Sequence, residues 1–380
     1  MRQIYLDNAA TTKTDERVLD RMFPYFCEIY GNPSSTYSLA KTAHAGIETA
    51  RTEIAEALRC KTGQVFFTSG GTESNNIVLN HFSHIQLCGK CPHVIVSGVE
   101  HHSVTRTVDY LQSCGVLEAT FLPVDKNGVI DLNQLEDAIQ ENTVGVSIMT
   151  VNNEVGSVMP IEGIGSICKQ HGILFHTDAV QAFCHLPIKL DNVDFLSVSS
   201  HKIHGPKGTG ALFVRNAKGF HSMFKGGVQE RSIRPGTENV PGIVGMGAAA
   251  RIACEDLDSV QGYVSELRNQ MLNGIMNGIS DCQINGDPVN HSCNILSVTF
   301  RGADKNLLLY LLDTSGIFVS SGAACSAGTE ETSHVLLAMG LSPEDANSTV
   351  RFSFSKFNTP EEIDYVLNIL PDILKKARTH

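Results

Sequence analysis

The sequence has no tryptophan, no low-complexity tract and no internal repeat. With 42% hydrophobic and 18% charged residues over 380 positions, it has the balance of a folded protein, which excludes disorder over most of its length. A basic excess is also missing. Lys and Arg number 29 against 40 Asp and Glu, and the formal charge of -11 disfavours attraction to phosphate backbones, so no direct nucleic-acid partner is expected. No run is long and apolar enough to span a bilayer, so no membrane partner is expected. The amino end, Met1-Arg2-Gln3-Ile4-Tyr5-Leu6-Asp7, meets a charge before the apolar stretch of a signal peptide is built. The 11 cysteines are scattered, without the dense framework of a small secreted domain. A reducing cytoplasm is the expected location.

What is present is a long alternation of short apolar runs and helical stretches. Strands are predicted at 64–68, 93–97, 119–122, 144–150, 173–177, 195–199 and 210–214, a rhythm that implies a mainly parallel α/β sheet. Helices are predicted at 15–30, opened by Thr14 or Asp15 and closed near Gly31-Asn32-Pro33, and at 38–59. The Gly- and Ala-rich run 240–254 starts a long helix that leaves the sheet. Beyond it, strands at 294–300, 317–319 and 349–353 alternate with helices at 304–313, 333–339 and 360–377. Two domains are expected because the chain exceeds the size at which a single core stops growing. The large one spans 15–255; residues 1–14 and 256–380 form a smaller α/β domain.

Three segments carry chemistry at strand ends. Ser199-Ser200-His201-Lys202-Ile203-His204-Gly205-Pro206-Lys207-Gly208 places a lysine after a strand among small and polar residues. Such an amine bonds an aldehyde once burial beside other cations helps it lose its proton. By itself Lys202 reads as a solvated lysine in a turn, and only its neighbours favour the other reading. Thr68-Ser69-Gly70-Gly71-Thr72-Glu73 leads from a strand into a helix, so its amides and hydroxyls suit an anion, although a plain turn has the same composition and the P-loop and dinucleotide spacings are absent. Phe175-His176-Thr177-Asp178-Ala179-Val180-Gln181 sets an acid just past a strand's carboxyl end, where it reads as the partner of a ring nitrogen or as a helix cap.

With Val99-Glu100-His101-His102 and Val151-Asn152-Asn153-Glu154, these segments resemble the fold-type I pyridoxal-phosphate (PLP) enzymes of aminotransferase class V, from Tyr5-Leu6-Asp7-Asn8-Ala9-Ala10-Thr11-Thr12 to Val350-Arg351-Phe352-Ser353. Gly31-Asn32-Pro33-Ser34-Ser35, 67–76, 201–210 and Gly236-Thr237-Glu238-Asn239-Val240-Pro241-Gly242 are similar to the NifS/IscS-type cysteine desulfurases. The resemblance implies that Lys202 carries PLP and His101 stacks on its ring and shuttles protons. It implies Asp178 at the ring nitrogen, Gln181 and Asn153 on the ring side, and Gly71, Thr72, Ser199 and His201 at the phosphate. Thr237 would reach the phosphate of the partner subunit, which implies a homodimer.

Ser320-Ser321-Gly322-Ala323-Ala324-Cys325-Ser326-Ala327-Gly328 is a run of small residues around one thiol. Alone, that thiol reads as a packed small hydrophobe. The family resemblance makes Cys325 the nucleophile that takes sulfur from L-cysteine, leaving L-alanine, and hands it as a persulfide to an acceptor protein of iron–sulfur assembly or tRNA thiolation. Arg351 is the family position that grips the substrate carboxylate, with Asn153 nearby. A selenocysteine lyase or another class V enzyme is the alternative, and the Cys325 loop separates the two. His81, His84, Cys88, Cys91 and His93 include a Cys-x-x-Cys but no second pair at a zinc-ribbon spacing, so no metal site is expected.

Overall fold

The computed structural model describes residues 3–87, 89–321 and 332–379. Strand β1 (Ile4–Tyr5) comes first and lies outside the main sheet. Seven strands then form that sheet: β2 (Val65–Thr68), β3 (His93–Ser97), β4 (Glu118–Leu122), β5 (Thr143–Ser147), β6 (Leu174–Asp178), β7 (Phe195–Ser199) and β8 (Gly210–Val214). Their order is β2-β8-β7-β6-β5-β3-β4, and β8 alone runs against its neighbours. The sheet is therefore mainly parallel, as the alternation predicts. β2, β3, β5, β7 and β8 are buried at every position, so they read as continuous apolar runs rather than as alternating ones.

One core packs on one face of the sheet, with Ile47, Ile54, Phe67, Phe175, Leu196 and Met246 among its members. A second, on the other face, includes Phe66, Phe82, Val104 and Phe195. A third core lies apart from the sheet and contains Ile4, Leu6, Met271, Phe300, Phe352 and Leu370. It is built on β9 (Cys282–Asn285), β10 (Ile295–Phe300) and β12 (Thr349–Ser353), joined antiparallel, while β11 (Ile317–Phe318) pairs in parallel with β1. The chain passes to this core through the helix Val240–Glu255 and the helix Leu257–Gly278.

The predicted helix over 15–30 is two helices, Glu16–Met22 and Pro24–Cys27. Pro24 has no N–H to give the preceding turn, so a new helix starts there with proline at its first position. Asp15 caps the first one, accepting from Arg17 N at 3.0 Å.

Candidate active site

Parallel strands align their carboxyl ends on one edge, and β2, β3, β5, β6 and β7 all finish there. At or just past those ends come Gly71, His101, Asn153, Asp178 and Lys202, and all five line one cleft of about 340 Å³. Thr72, Gln181, Ser199, His201 and Arg351 line it too, with Ala9 and Ala10 of the amino-terminal segment.

Lys202 ends the short 3-10 turn Ser200–Lys202 that follows β7. Its Nζ donates to the carbonyls of Ala9 at 2.5 Å and Ala10 at 2.8 Å, and Gln181 Nε2 donates to Ala9 O at 2.8 Å. From the other side, His185 Nε2 donates to the Lys202 carbonyl at 3.0 Å. The lysine is thus held at both its amine and its backbone.

A hydrogen-bond chain runs from Asp178 to His101. Asp178 Oδ1 accepts from Val180 N at 2.9 Å and Oδ2 from Asn75 Nδ2 at 2.7 Å. The same Asn75 nitrogen donates to Ser103 Oγ at 2.8 Å, which commits the Ser103 proton to His101 Nδ1, 2.8 Å away. Ser103 N also donates to that Nδ1, at 3.1 Å. With Nδ1 accepting twice, the proton of a neutral His101 ring sits on Nε2. Neither Asn75 nor Ser103 is visible as a site residue in the sequence.

At the far end of the cleft, Thr11, Ser69, Gly70, Lys207 and Gly208 join Gly71, Thr72, Ser199 and His201 around a more open hollow of about 330 Å³. Gly70 has φ 152°, a conformation that favours glycine, and the helix Gly71–Ser83 begins directly after it. First-turn amides have no acceptor within their own helix, so they point outward. Glu73 ties the loop down, accepting from Ser69 N at 3.1 Å and Arg234 Nε at 2.9 Å. His201 bonds Thr11 Oγ1 at 3.1 Å, and burial, aided by the charges of Lys202 and Lys207, pushes its pKa down to about 4. It is a neutral ring in a cationic corner. Lys207 is a further residue that sequence reasoning does not single out.

Arg351 enters from β12 and is 1% exposed. One terminal nitrogen donates to Asp7 Oδ1 at 2.8 Å and the other to the Asn153 carbonyl at 2.7 Å, which fixes the guanidinium plane. Two buried acids belong to this region: Glu154 lines the cleft, and Glu100 precedes His101 without lining it. Glu154, whose pKa burial raises, accepts from Ser333 Oγ at 2.5 Å. Glu100, pushed up to about 8 by burial, accepts at Oε1 from Ser97 Oγ at 2.5 Å and Met149 N at 3.0 Å. Ser333 also caps the helix His334–Ala338, and His334 Nε2 bonds the Glu100 carbonyl at 2.9 Å.

Cys325 and Cys88 lie outside the described residues. Thr237 is exposed and is not among the residues lining the cleft. The histidines and cysteines around residue 90 do not converge: His93 is spent between Thr143 and Thr120, His81 stacks on Phe220, and Cys91 faces the Gly115 carbonyl. Among the described residues, no group of three potential ligands is placed to hold a metal ion.

The residues present fit a phosphorylated pyridine aldehyde. Hydroxyls, helix-start amides and Lys207 lie at one end, an acid whose two oxygens are already steered by donors lies in the middle, and an amine and an imidazole lie beside it. Comparison with known proteins agrees with that fit. The family model for aminotransferase class V matches residues 4–366. A cysteine desulfurase IscS of Methanosarcina thermophila is 41% identical over 377 residues, covering 99% of this chain and 93% of its own. A cysteine desulfurase of Sinorhizobium fredii is 41% identical over 381 residues, covering 100% and 98%. Among solved structures, a NifS-like protein superposes with a TM-score of 0.92 at 38% identity, over 99% of this chain and all of its own. SspA in complex with cysteine superposes with a TM-score of 0.83 at 36% identity, over 94% of this chain and all of its own. The chain belongs to the aminotransferase class V family, in its cysteine desulfurase branch.

Proposed function

We propose that this chain desulfurates L-cysteine to L-alanine, with Cys325 receiving the sulfur as a persulfide and Lys202 carrying PLP. The observation that carries the reading is the meeting of Lys202, Asp178 and His101 in one cleft from three separate strand ends. Enzymes of the class V family depend on PLP, and when bound here that group draws electron density away from the substrate Cα.

The chain's own residues supply the rest. Asp178, steered by Asn75 and Val180 N, pairs with the ring nitrogen. Gly71, Thr72, Ser199 and His201 take the phosphate, and Gln181 and Asn153 flank the ring. Arg351, kept planar by Asp7 and the Asn153 carbonyl, binds the substrate carboxylate with a bidentate donor face. The Lys202 amine takes the Cα proton, and His101 exchanges protons through Nε2. The Cys325 thiolate attacks the substrate sulfur and the new S–S bond forms as the Cβ–S bond breaks with its electron pair left on the carbon side; once Cβ has taken up a proton and Cα has regained one, the three-carbon skeleton leaves as alanine.

The grouping of Ile4 and Leu6 with residues such as Met271, Phe300 and Leu370 supports a division into residues 15–255 and residues 1–14 with 256–380, although Val335, Leu336, Met339 and Ala346 pack on the core of the larger part. The exposure of Thr237 supports its reaching the phosphate of a partner subunit in a homodimer. The persulfide passes on to an acceptor protein of iron–sulfur assembly or tRNA thiolation, in the cytoplasm. Among the described residues no helix is long and apolar enough to cross a membrane.

The test measures alanine and sulfide from L-cysteine with reductant, comparing wild type, Cys325→Ser and Lys202→Ala. Both variants lose sulfide formation, and Lys202→Ala alters the visible cofactor band. Wild-type rates in Cys325→Ser would remove the persulfide step, and a colourless wild type would remove the cofactor.

A further inference from the structure

Cys184 and Cys254 are 70 positions apart in sequence, yet their Sγ atoms stand 3.7 Å from each other. Cys254 lies in the last turn of the helix Val240–Glu255 and is exposed. Cys184 is half-buried in the loop after β6, with φ 56°, and its Sγ is also 3.9 Å from the Ala250 carbonyl, one turn below Cys254 on the same helix. The left-handed backbone at Cys184 turns its side chain onto that helix. The mechanism above uses neither thiol.

The two thiols are not equivalent. A hydrogen bond from Cys184 lowers the Cys254 pKa, and Arg59 lowers it further, whereas burial raises that of Cys184 well above the usual thiol range. An exposed thiol of lowered pKa beside a less accessible thiol of raised pKa, with their sulfurs 3.7 Å apart, is the arrangement of an attacking cysteine with its resolving partner. A disulfide needs an S–S distance of about 2.05 Å, so closure requires the two sulfurs to approach by less than 2 Å, within the range of side-chain rotation.

We propose that Cys184 and Cys254 form an oxidisable dithiol site that takes small-molecule disulfides of the cystine class. The Cys254 thiolate attacks one sulfur of the disulfide, forming a mixed disulfide and expelling one small thiolate. Cys184 gives up its proton and attacks Cys254 Sγ, forming the Cys184–Cys254 bond and releasing the second small thiol. Two protein thiols are oxidised, and one small disulfide is reduced to two thiols. The inference stands on the thiol pair and does not depend on the desulfurase reading. The pair is nevertheless joined to the cleft, because His185, next to Cys184, holds the Lys202 carbonyl.

The test incubates the full chain with cystine, alkylates the remaining thiols and maps the peptides by mass spectrometry. A Cys184–Cys254 cross-linked peptide lighter by two hydrogens is expected, and reductant reverses it. In Cys184→Ala the reaction stops at a cysteine adduct on Cys254, and in Cys254→Ala Cys184 stays alkylatable. Separately, Cys184→Ala slows alkylation of Cys254 several-fold near pH 8 because its hydrogen-bond donor is gone. Cys184 and Cys254 remaining fully alkylatable at cystine levels that modify the exposed Cys27 and Cys114 would overturn the site. So would an unchanged Cys254 alkylation rate in a folded Cys184→Ala protein.

Discussion

Asn75 donates to Asp178 across 2.7 Å, although 103 positions separate them in the chain. Its second amide hydrogen goes to Ser103, so a single side chain orients both the acid expected at the cofactor ring and the histidine expected above it. Asn75→Ala removes both donors inside a buried network, a loss of about 1–3 kcal/mol per unsatisfied group. The expected outcome is a fall in kcat of about 10-fold or more, together with weaker PLP binding in an absorbance titration. Ser103→Ala lets the second His101 acceptor bond go while sparing Asp178. It therefore shifts the His101 tautomer seen by nitrogen NMR and leaves the PLP titration near wild type.

Arg351→Lys keeps the charge but gives up the planar fork. It should raise KM for L-cysteine by about 10- to 100-fold, which corresponds to about 1.4–2.8 kcal/mol of lost carboxylate binding, with a smaller effect on kcat. Asp7→Asn leaves the fork in place but weakens its anchor, so a milder KM increase is expected. Steady-state kinetics on the two variants separates gripping from aiming.

Glu100 makes stability depend on pH. Its folded pKa of about 8 lies above the ordinary value of 4.5, so between these values the folded chain keeps a proton that the unfolded chain has released. Stability then falls as pH rises from about 4.5 to about 8. Glu100→Gln, which is neutral throughout, should flatten that fall and raise stability near pH 7 by on the order of 1–3 kcal/mol. Denaturant midpoints measured at pH 5 and pH 8 check the sign.

Gly210→Ala brings a Cβ to 2.6 Å from both Gly70 Cα and the Val198 carbonyl, backbone atoms that cannot rotate aside. About 1–3 kcal/mol of overpacking is expected. Because Gly70 borders the hollow proposed for the phosphate, PLP affinity should fall along with Tm. An unchanged PLP titration in this variant would uncouple β8 from that hollow.

The strands were legible where burial on both faces leaves a continuous apolar run. His93–Ser97, Phe195–Ser199 and Gly210–Val214 fall on the predicted residues because β-branched and aromatic side chains stop at polar or glycine neighbours. Cys282–Asn285 was not legible, since a four-residue edge strand with two polar positions has no pattern to display. β5 ends at Ser147 rather than at 150 because its pairing with β3 stops at Val96, although Ile148 and Thr150 still bond carbonyls of β6. In the site, Lys202, Asp178 and His101 are announced by their motifs. Asn75 and Asp7 act through partners far away in sequence, and Ser103 and Glu100 join near neighbours to such distant ones, so only the folded arrangement displays their roles.

The amino-terminal segment has a reach out of proportion to its length. Ile4 and Leu6 belong to the smaller core, and a few residues later Ala9 and Ala10 hold the Lys202 amine with their carbonyls. A tag, fusion or trimming event at that end therefore pulls on a tether between the scaffold and the reactive nitrogen. Anyone placing an affinity handle on this protein is adjusting its chemistry as well as its purification.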